Sequence, residues 1–166
     1  MQSHYNYTFD TNTNTYNFTT KNAIVYRIAF VVDETFSTIS GEDIPNVFQL
    51  VIEKATNQRE PYDPKVAKTL EAIIEKFFAN VENSLVYLCS DDNSKAFQRF
   101  KTFDRWYQNS PHKQWIVKVD NILKIEITDN QIHQLYTSFL FHKQHPAYDK
   151  LLGIYQEMEE VLNREK

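Results

Sequence analysis

Large hydrophobic residues occupy every second position from Ile24 to Val32, and this alternation limits the fold of the chain more than any other feature. A period of two is typical of a β-strand, because successive side chains point to opposite faces of a sheet. The intervening positions include Val25, Ala29 and Val31, so the second face is also partly apolar. The pattern therefore predicts a central strand.

The segments around this strand predict an antiparallel meander. Aromatic residues alternate with polar ones at Tyr5–Phe9 and again at Tyr16 and Phe18, on either side of a turn-prone Thr-Asn cluster. That arrangement is typical of a hairpin with one aromatic face. Apolar residues alternate again at 47–53, after a polar connection. The first third of the chain is therefore expected to contain four neighbouring strands.

Apolar residues at three- and four-residue spacing predict three helices. The first begins at Pro64, because Asp63 is a suitable N-cap and proline suits the first helical position. The second covers residues 94–107, and the third begins near Pro146. Gly153 lies inside the third helix, where glycine costs about 1 kcal/mol relative to alanine. We interpret it as a sign of close packing at that position.

The remaining apolar segments predict further strands at Leu85–Cys89, 115–119, 123–127 and Ile132–His142. The polar pair Asp120–Asn121 can form a turn, so the middle two segments are interpreted as a second hairpin.

These elements together predict an α+β fold: a mostly antiparallel β-sheet of about six to eight strands with about three α-helices packed on one face. The strand at 47–53, the first helix and the strand at 85–89 have the order of a crossover unit. No linker, repeat or low-complexity tract divides the sequence, so residues 1–166 are expected to form a single domain.

Glycine content excludes several classes of site. The only two glycines, Gly41 and Gly153, are far apart, whereas a dinucleotide-binding fingerprint and a P-loop both need closely spaced glycines. Common zinc-protease, calcium-binding and serine-hydrolase motifs are also missing, and no cofactor is expected. Cys89 is the only cysteine, which excludes an intramolecular disulfide, and its apolar strand favours a buried hydrophobe over a reactive thiol.

Targeting and charge features predict a cytoplasmic protein. The N-terminal segment lacks the basic and apolar regions of a secretory signal. No apolar run approaches the length that spans a bilayer, so no membrane partner is expected. The formal net charge of −4 argues against a wholly cationic nucleic-acid binder but permits a local basic patch.

Two carboxylates directly follow the strand at Leu85–Cys89. Asp91 and Asp92 lie where ligand sites of α/β proteins often form, and such a pair can hold a metal ion or act as acid and base. They can equally cap the next helix and complement the positive end of its dipole. We favour the capping role.

A second candidate ligand set consists of His142 and His145, with Asp149 nearby. Two imidazoles and a carboxylate can ligate a transition metal. The spacing is common by chance and no further ligand is identifiable, so a solvated loop is favoured and no metal is expected.

The helix at 94–107 combines rings with positive charges. Phe97, Phe100, Phe103 and Tyr107 recur at helical spacing and are interpreted as a stripe facing the core. A basic helix with further aromatic residues can grip phosphates and stack on bases, although its arginines can equally pair with carboxylates. The candidate binding residues are Arg99, Lys101, Arg105 and Trp106, with Asp91 and Asp92 beside them.

Several of these residues also carry a resemblance. They are Tyr87 and Cys89 in the strand, the acidic pair Asp91–Asp92, Arg99, and the ending Phe103, Trp106 and Tyr107. In this order they resemble a family of small bacterial proteins catalogued only as a domain of unknown function. The aromatic N-terminal hairpin, the Asp-Pro helix and the segment HKQHP extend the resemblance over most of the chain. It implies a bacterial, intracellular, stand-alone domain, and it brings no activity, cofactor or catalytic residue.

The function predicted from the sequence is a non-enzymatic interaction module that binds a protein partner. Missing catalytic motifs and an aromatic fraction of 14% favour this hypothesis. An alternative is a nucleic-acid-associated protein, such as a toxin or defence component, that uses the helix at 94–107. A third is a hydrolase that depends on Asp91 or Asp92.

Overall fold

The described residues contain seven strands and three α-helices of more than one turn, in the order β1 (Tyr7–Asp10), β2 (Thr15–Thr19), β3 (Val25–Val32), β4 (Val47–Lys54), α1 (Pro64–Phe77), β5 (Ser84–Cys89), α2 (Ala96–Asn109), β6 (Ile116–Thr128), β7 (Gln131–His142) and α3 (Tyr148–Arg164). This computed structural model describes residues 2–34, 37–38, 41–89, 95–128 and 131–164, with the backbone alone at 123–128, 131–133 and 158–164. The strands form one sheet in the order β1-β2-β3-β4-β5-β7-β6. The predicted α+β class and the range of strand and helix numbers are confirmed.

Strands β1 to β4 form the predicted antiparallel meander. The β1–β2 connection is a tight turn: the Asp10 carboxylate accepts a hydrogen bond from the backbone N–H of Asn12 at 2.8 Å, and Asn14 has a φ of 55°. Asparagine tolerates this left-handed conformation better than most residues. The Thr-Asn cluster therefore provides the turn that its composition predicts.

Helix α1 connects two parallel strands, as a crossover unit requires. It begins where the sequence predicts, because the Asp63 carboxylate accepts a hydrogen bond from the Lys65 N–H at 3.0 Å and Pro64 occupies the first turn. The Tyr5 hydroxyl donates to the second carboxylate oxygen of Asp63 at 2.5 Å. This bond ties the N-terminal segment to the start of α1.

The predicted hairpin at 115–127 is wrong, because β6 runs without a turn through Asp120–Asn121. Both residues pair with β7, Asp120 with Ser138 and Asn121 with Thr137. The Asp120 carboxylate accepts hydrogen bonds from the Lys118 ammonium and the Ser138 hydroxyl. These partners stabilise an extended conformation at a residue that usually favours turns.

The helices cover both faces of the sheet, not one as predicted. Helices α1 and α2 pack on the face that carries Leu85 and Leu140, where they contribute Ile73, Phe77 and Phe103. Helix α3 packs on the opposite face, which carries neighbouring strand residues. Adjacent residues of a strand point to opposite faces, so the two clusters lie on opposite sides of the sheet. Helical periodicity shows which side of a helix is apolar, but it does not show which face of the sheet it covers.

Gly153 does not show the predicted close packing. A Cβ atom placed there would meet no atom of the described residues within 4 Å.

None of the helices in the described ranges combines the length and apolar character that a bilayer crossing requires.

Candidate functional site

A gap opens in the sheet between the two parallel strands. β4 and β5 pair at three positions, from Val47 with Ser84 to Gln49 with Val86. Beyond these pairs β4 continues along β3 to Lys54, whereas β5 continues along β7 to Cys89. The strands therefore part on the side where Ile52 and Tyr87 are located.

Helices α1 and α2 form the walls of a cavity of about 380 Å³ above this gap. We call it the α1–α2 groove. Its lining residues are Ile52 and Tyr87 from the strands, Ala67, Leu70 and Ile74 from α1, and Lys95, Gln98, Arg99, Thr102, Phe103 and Trp106 at and along α2. Ligand pockets typically occupy about 300–1,000 Å³, with mostly apolar walls and a few polar groups. The groove has this composition.

Charge in the groove is concentrated near the start of α2. Lys95 immediately precedes the helix and Arg99 lies one turn further along. Among the described residues that line the groove, none is acidic. The positive end of the α2 dipole lies at the same end. The positively charged side chains among the described lining residues therefore lie together at this end of the groove.

Two side chains of β5, Tyr87 and Cys89, lie near Arg99. Burial raises the pKa of the Cys89 thiol, although hydrogen bonding with the Tyr87 hydroxyl and the Arg99 guanidinium acts in the opposite direction. Burial also raises the pKa of Tyr87, and the neighbouring Cys89 adds to this effect. Thiol and phenol therefore stay protonated near pH 7, and the positive charge of this trio is that of Arg99.

Aromatic rings form the other end of the groove. Tyr87 stacks on Phe103 with ring centroids 4.2 Å apart, and Phe103 contacts Trp106 at 5.3 Å. Because aromatic contacts add to the stability that burial provides, this cluster fixes the position of α2 above β5.

An ion cluster holds the outer edge of α2 against the sheet. The Lys118 ammonium lies 2.8 Å from Asp104 on α2 and 2.5 Å from Asp120 on β6. The Lys118 side chain is only 2% exposed and lies near the Phe100 and Tyr107 rings. Its charge is compensated inside the fold, so we interpret Lys118 as a structural residue.

The structure brings only two of the four candidate residues on α2 together. Residues in an α-helix are rotated by about 100° each, so Trp106, seven positions after Arg99, returns to the same side. Both line the groove. Lys101 and Arg105 lie about 200° and 240° further round and are exposed on the opposite side of the helix.

The opposite side of α2 also carries Phe97, whose side chain is 47% exposed. The Lys101 ammonium lies 5.0 Å from the centre of the Phe97 ring. We call Phe97, Lys101 and Arg105 the outward face of α2. Phe100, Phe103 and Tyr107 of the predicted core-facing stripe therefore pack against the core. Phe97, the fourth member, remains about half exposed.

The other predicted site residues do not join the groove. Asp91 and Asp92 lie outside the described residues. His142 accepts a hydrogen bond at Nδ1 from the Gln144 N–H, and His145 does the same from the Ala147 N–H. Nε2 of His145 lies 3.0 Å from the Glu82 carbonyl oxygen and therefore acts as the donor. Within the described ranges, no group of three His, Cys, Asp or Glu side chains could hold a metal ion.

Sequence reasoning missed the walls of the groove that α1 and β4 provide. Leu70 and Ile52 were predicted only as apolar positions of a helix and a strand, and Ala67 was not singled out. The sequence also contains no sign that β4 and β5 part. A signal did exist on α2. Its spacing places Arg99, Thr102 and Trp106 on one side and Lys101 and Arg105 on the other.

Comparisons with solved structures give weak likenesses. One is described as "a putative phosphinothricin N-acetyltransferase", with 14% identity, a TM-score of 0.43, and coverage of 75% of this chain and 68% of that one. Another is the CoA-dependent acyl-homoserine lactone synthase MesI, with 12% identity, a TM-score of 0.37, and coverage of 89% and 71%. Both TM-scores lie below 0.5, so neither supports an argument about this chain. No curated protein matches it.

A family match covers residues 62–157, which is more than half of the chain and includes α1, α2 and the lining residues of the groove other than Ile52. The chain belongs to the family of unknown function DUF6169.

Proposed function

We propose that the protein is a binding module whose ligand is a small, largely apolar molecule held in the α1–α2 groove. The single observation that supports this proposal is the cavity of about 380 Å³ with its apolar walls. The interior of a folded domain is normally packed without voids of this size. An open apolar cavity is therefore the usual first candidate for a ligand-binding site.

The position of the groove also supports the proposal. It lies where β4 and β5 part, and each strand contributes one lining residue, Ile52 and Tyr87. Both walls are helices that pack on the sheet through buried residues such as Ile74 and Phe103. A pocket between rigid elements keeps its shape when empty, which reduces the entropy cost of binding.

Binding can be tested with Nile red, a neutral dye that fluoresces in apolar surroundings. We expect wild type to bind it, and the groove-filling variants Ala67→Phe and Thr102→Trp to lose about tenfold or more in affinity, equivalent to about 1.4 kcal/mol. Val51→Thr is the matched control, because Val51 is an exposed apolar residue on β4 that does not line the groove. Equal dye binding by the wild type and both groove-filling variants would refute the proposal.

A second candidate function is contact with nucleic acid through the outward face of α2. The observation that favours it is the alignment of Phe97, Lys101 and Arg105 on one exposed side, since a ring beside cations can stack on a base while they grip phosphates. We expect a labelled single-stranded RNA to bind at low salt and to bind less tightly to Arg105→Ala. Arg99→Gln, on the groove side, is the control. No binding at low salt, or no effect of Arg105→Ala, would exclude this candidate.

The remaining hypotheses stay predictions. They are a protein partner, a bacterial origin, a cytoplasmic location and a hydrolase activity that depends on Asp91 or Asp92. These two residues lie outside the described part of the chain.

A further inference from the structure

We propose that the ligand of the α1–α2 groove is a neutral apolar molecule with one carbonyl oxygen, and that this oxygen accepts a hydrogen bond from the indole N–H of Trp106. The inference rests on the proposed function and adds the chemical class of the ligand and a residue that determines specificity. It follows from a buried hydrogen-bond donor in the wall of the groove that has no partner among the described residues.

The donor is the indole nitrogen of Trp106. Trp106 lines the groove, and its ring lies 5.3 Å from that of Phe103. The Nε1 atom is buried, yet none of the described residues accepts a hydrogen bond from it. An indole nitrogen can only donate, and a buried donor without a partner costs free energy, so a buried tryptophan N–H usually has one. An acceptor supplied by a molecule in the groove would remove this cost.

A rotation of the ring brings this donor to the ligand. The Nε1 atom itself is covered, whereas the Trp106 side chain as a whole is only partly buried and borders the cavity. The torsion next to an aromatic ring has broad minima, so the indole can turn without changing its χ1 rotamer. The cavity of about 380 Å³ beside the ring provides space for this movement. We therefore expect the ligand to bind with the indole turned and its N–H facing the carbonyl oxygen.

The acceptor is expected to be uncharged. Lys95 and Arg99, the positively charged residues of the described lining, already have interaction partners, so their charge is not the basis of an anion site. The wall opposite α2 consists of Ala67, Leu70 and Ile74, whose side chains are hydrocarbon. A charged group beside this wall would lose its hydration at a high cost. A carbonyl oxygen loses less and gains the indole N–H.

The other uncharged polar side chains of the lining offer no comparable donor. The Thr102 hydroxyl donates to the backbone carbonyl oxygen of Gln98 at 2.8 Å, and the Tyr87 hydroxyl is hydrogen-bonded with Cys89. The Gln98 residue is exposed, so water satisfies its amide. Among the described lining residues, Trp106 therefore provides the buried donor that is still available to a ligand.

The test compares acetophenone with ethylbenzene, which share a phenyl ring and a short side chain and differ by the carbonyl oxygen. Both are titrated by NMR into isotopically labelled wild type, Trp106→Phe and Trp115→Phe. Hydration of the free ligands is the same for every protein, so the informative quantity is the ratio of the two dissociation constants. Trp106→Phe keeps an aromatic ring and removes the donor. Trp115→Phe is the matched control, because Trp115 is the second tryptophan and does not line the groove.

We expect the dissociation constant of ethylbenzene divided by that of acetophenone to fall about tenfold in Trp106→Phe and to stay within about twofold in Trp115→Phe. Acetophenone should also move the indole N–H resonance of Trp106 further downfield than ethylbenzene does, because only acetophenone supplies an acceptor. The missing resonance in Trp106→Phe assigns this signal. The shift is measured on wild type and decides the question if Trp106→Phe does not fold, and melting temperatures control for folding.

The outcomes separate this inference from the proposed function. An unchanged ratio in Trp106→Phe, or equal indole shifts with the two ligands, would overturn the role of Trp106 and leave the apolar groove in place. Failure of acetophenone to bind wild type, with Nile red binding retained, would overturn the carbonyl class. Failure of Nile red as well would overturn the proposed function itself.

Discussion

The two faces of the sheet are packed differently where β5 meets its neighbours. On the α3 face, Phe139 and Phe141 are fully buried, and Phe139 stacks on Tyr155 with ring centroids 5.3 Å apart. On the other face, Tyr87 borders a cavity of about 380 Å³ between α1 and α2. β5 therefore contributes Val86 to this filled core on one side and Tyr87 to the open groove on the other.

Strand pairing explains the difference. β5 pairs with β7 at six positions and with β4 at only three. Along the β5–β7 ladder, the sheet offers α3 a continuous surface. Where β4 and β5 part, the surface beneath α1 and α2 is interrupted, and the two helices enclose a cavity. The comparison indicates that the groove face combines a buried core with an open cavity, where we place the proposed site, whereas the α3 face is filled around Phe139.

The largest expected effect tests the filled side. Phe139→Ala should lower the free energy of unfolding by about 3–5 kcal/mol, because it removes a fully buried ring and leaves a cavity. Leu70→Ala, in the groove wall, should cost less than half as much, since its side chain already borders open space. Urea denaturation followed by circular dichroism measures both. Equal losses would remove the distinction between the two faces, and Phe139→Leu provides a milder variant if Phe139→Ala does not fold.

The next effect concerns the support of the groove. Lys118→Met should lower the free energy of unfolding by about 2 kcal/mol, because the ammonium bridges Asp104 of α2 and Asp120 of β6. Methionine keeps the contact with the Phe100 and Tyr107 rings. We also expect weaker Nile red binding, since α2 forms one wall of the groove. Unchanged stability would show that packing alone positions this helix.

A smaller effect, of opposite sign, concerns α3. Gly153→Ala should raise the free energy of unfolding by about 1 kcal/mol, because alanine favours the helix and the new Cβ meets no atom of the described residues within 4 Å. Thermal unfolding measures the gain. A loss of stability would show that α3 is closely packed at Gly153.

The smallest effect is a pH dependence on the groove side. The hydrogen bond from Lys118 holds the pKa of Asp104 below its usual value of 3.8. A carboxyl group with a lowered pKa stabilises the fold fully above its unfolded pKa and loses this contribution as pH falls through the folded value. We expect the urea concentration at the unfolding midpoint of wild type to decrease as the pH drops below about 4. In Asp104→Asn this decrease should be smaller. Identical pH profiles of the two proteins would contradict a stabilising role of the Asp104 carboxylate.

Much of the fold could be predicted from the sequence because it depends on local signals. The alternation at Ile24–Val32 predicted a central strand, and Asp63 with Pro64 predicted the start of α1. The turn at Asp120–Asn121 was predicted wrongly, since the partners that keep Asp120 extended include Ser138, a residue distant in sequence.

The candidate site was less predictable. Arg99 and Trp106 were identified as binding candidates by residue type, and both line the groove. Their separation from Lys101 and Arg105 depends on rotation about the α2 axis. The cavity depends on how far two parallel strands stay paired. That extent is decided by packing across the whole sheet and leaves no local pattern in the residues of β4 or β5.

The short joint between β4 and β5 also has a consequence for how the sheet opens. The meander β1–β4 and the unit β5–β7–β6 each consist of antiparallel neighbours, and within the sheet a ladder of three residue pairs joins them. A ladder of three pairs has few hydrogen bonds, so we expect the two half-sheets to separate at this joint more readily than either half opens. The backbone amides at the joint should then exchange with solvent faster than those inside either half. A molecule in the groove contacts both halves, so its binding would slow this exchange and delay their separation.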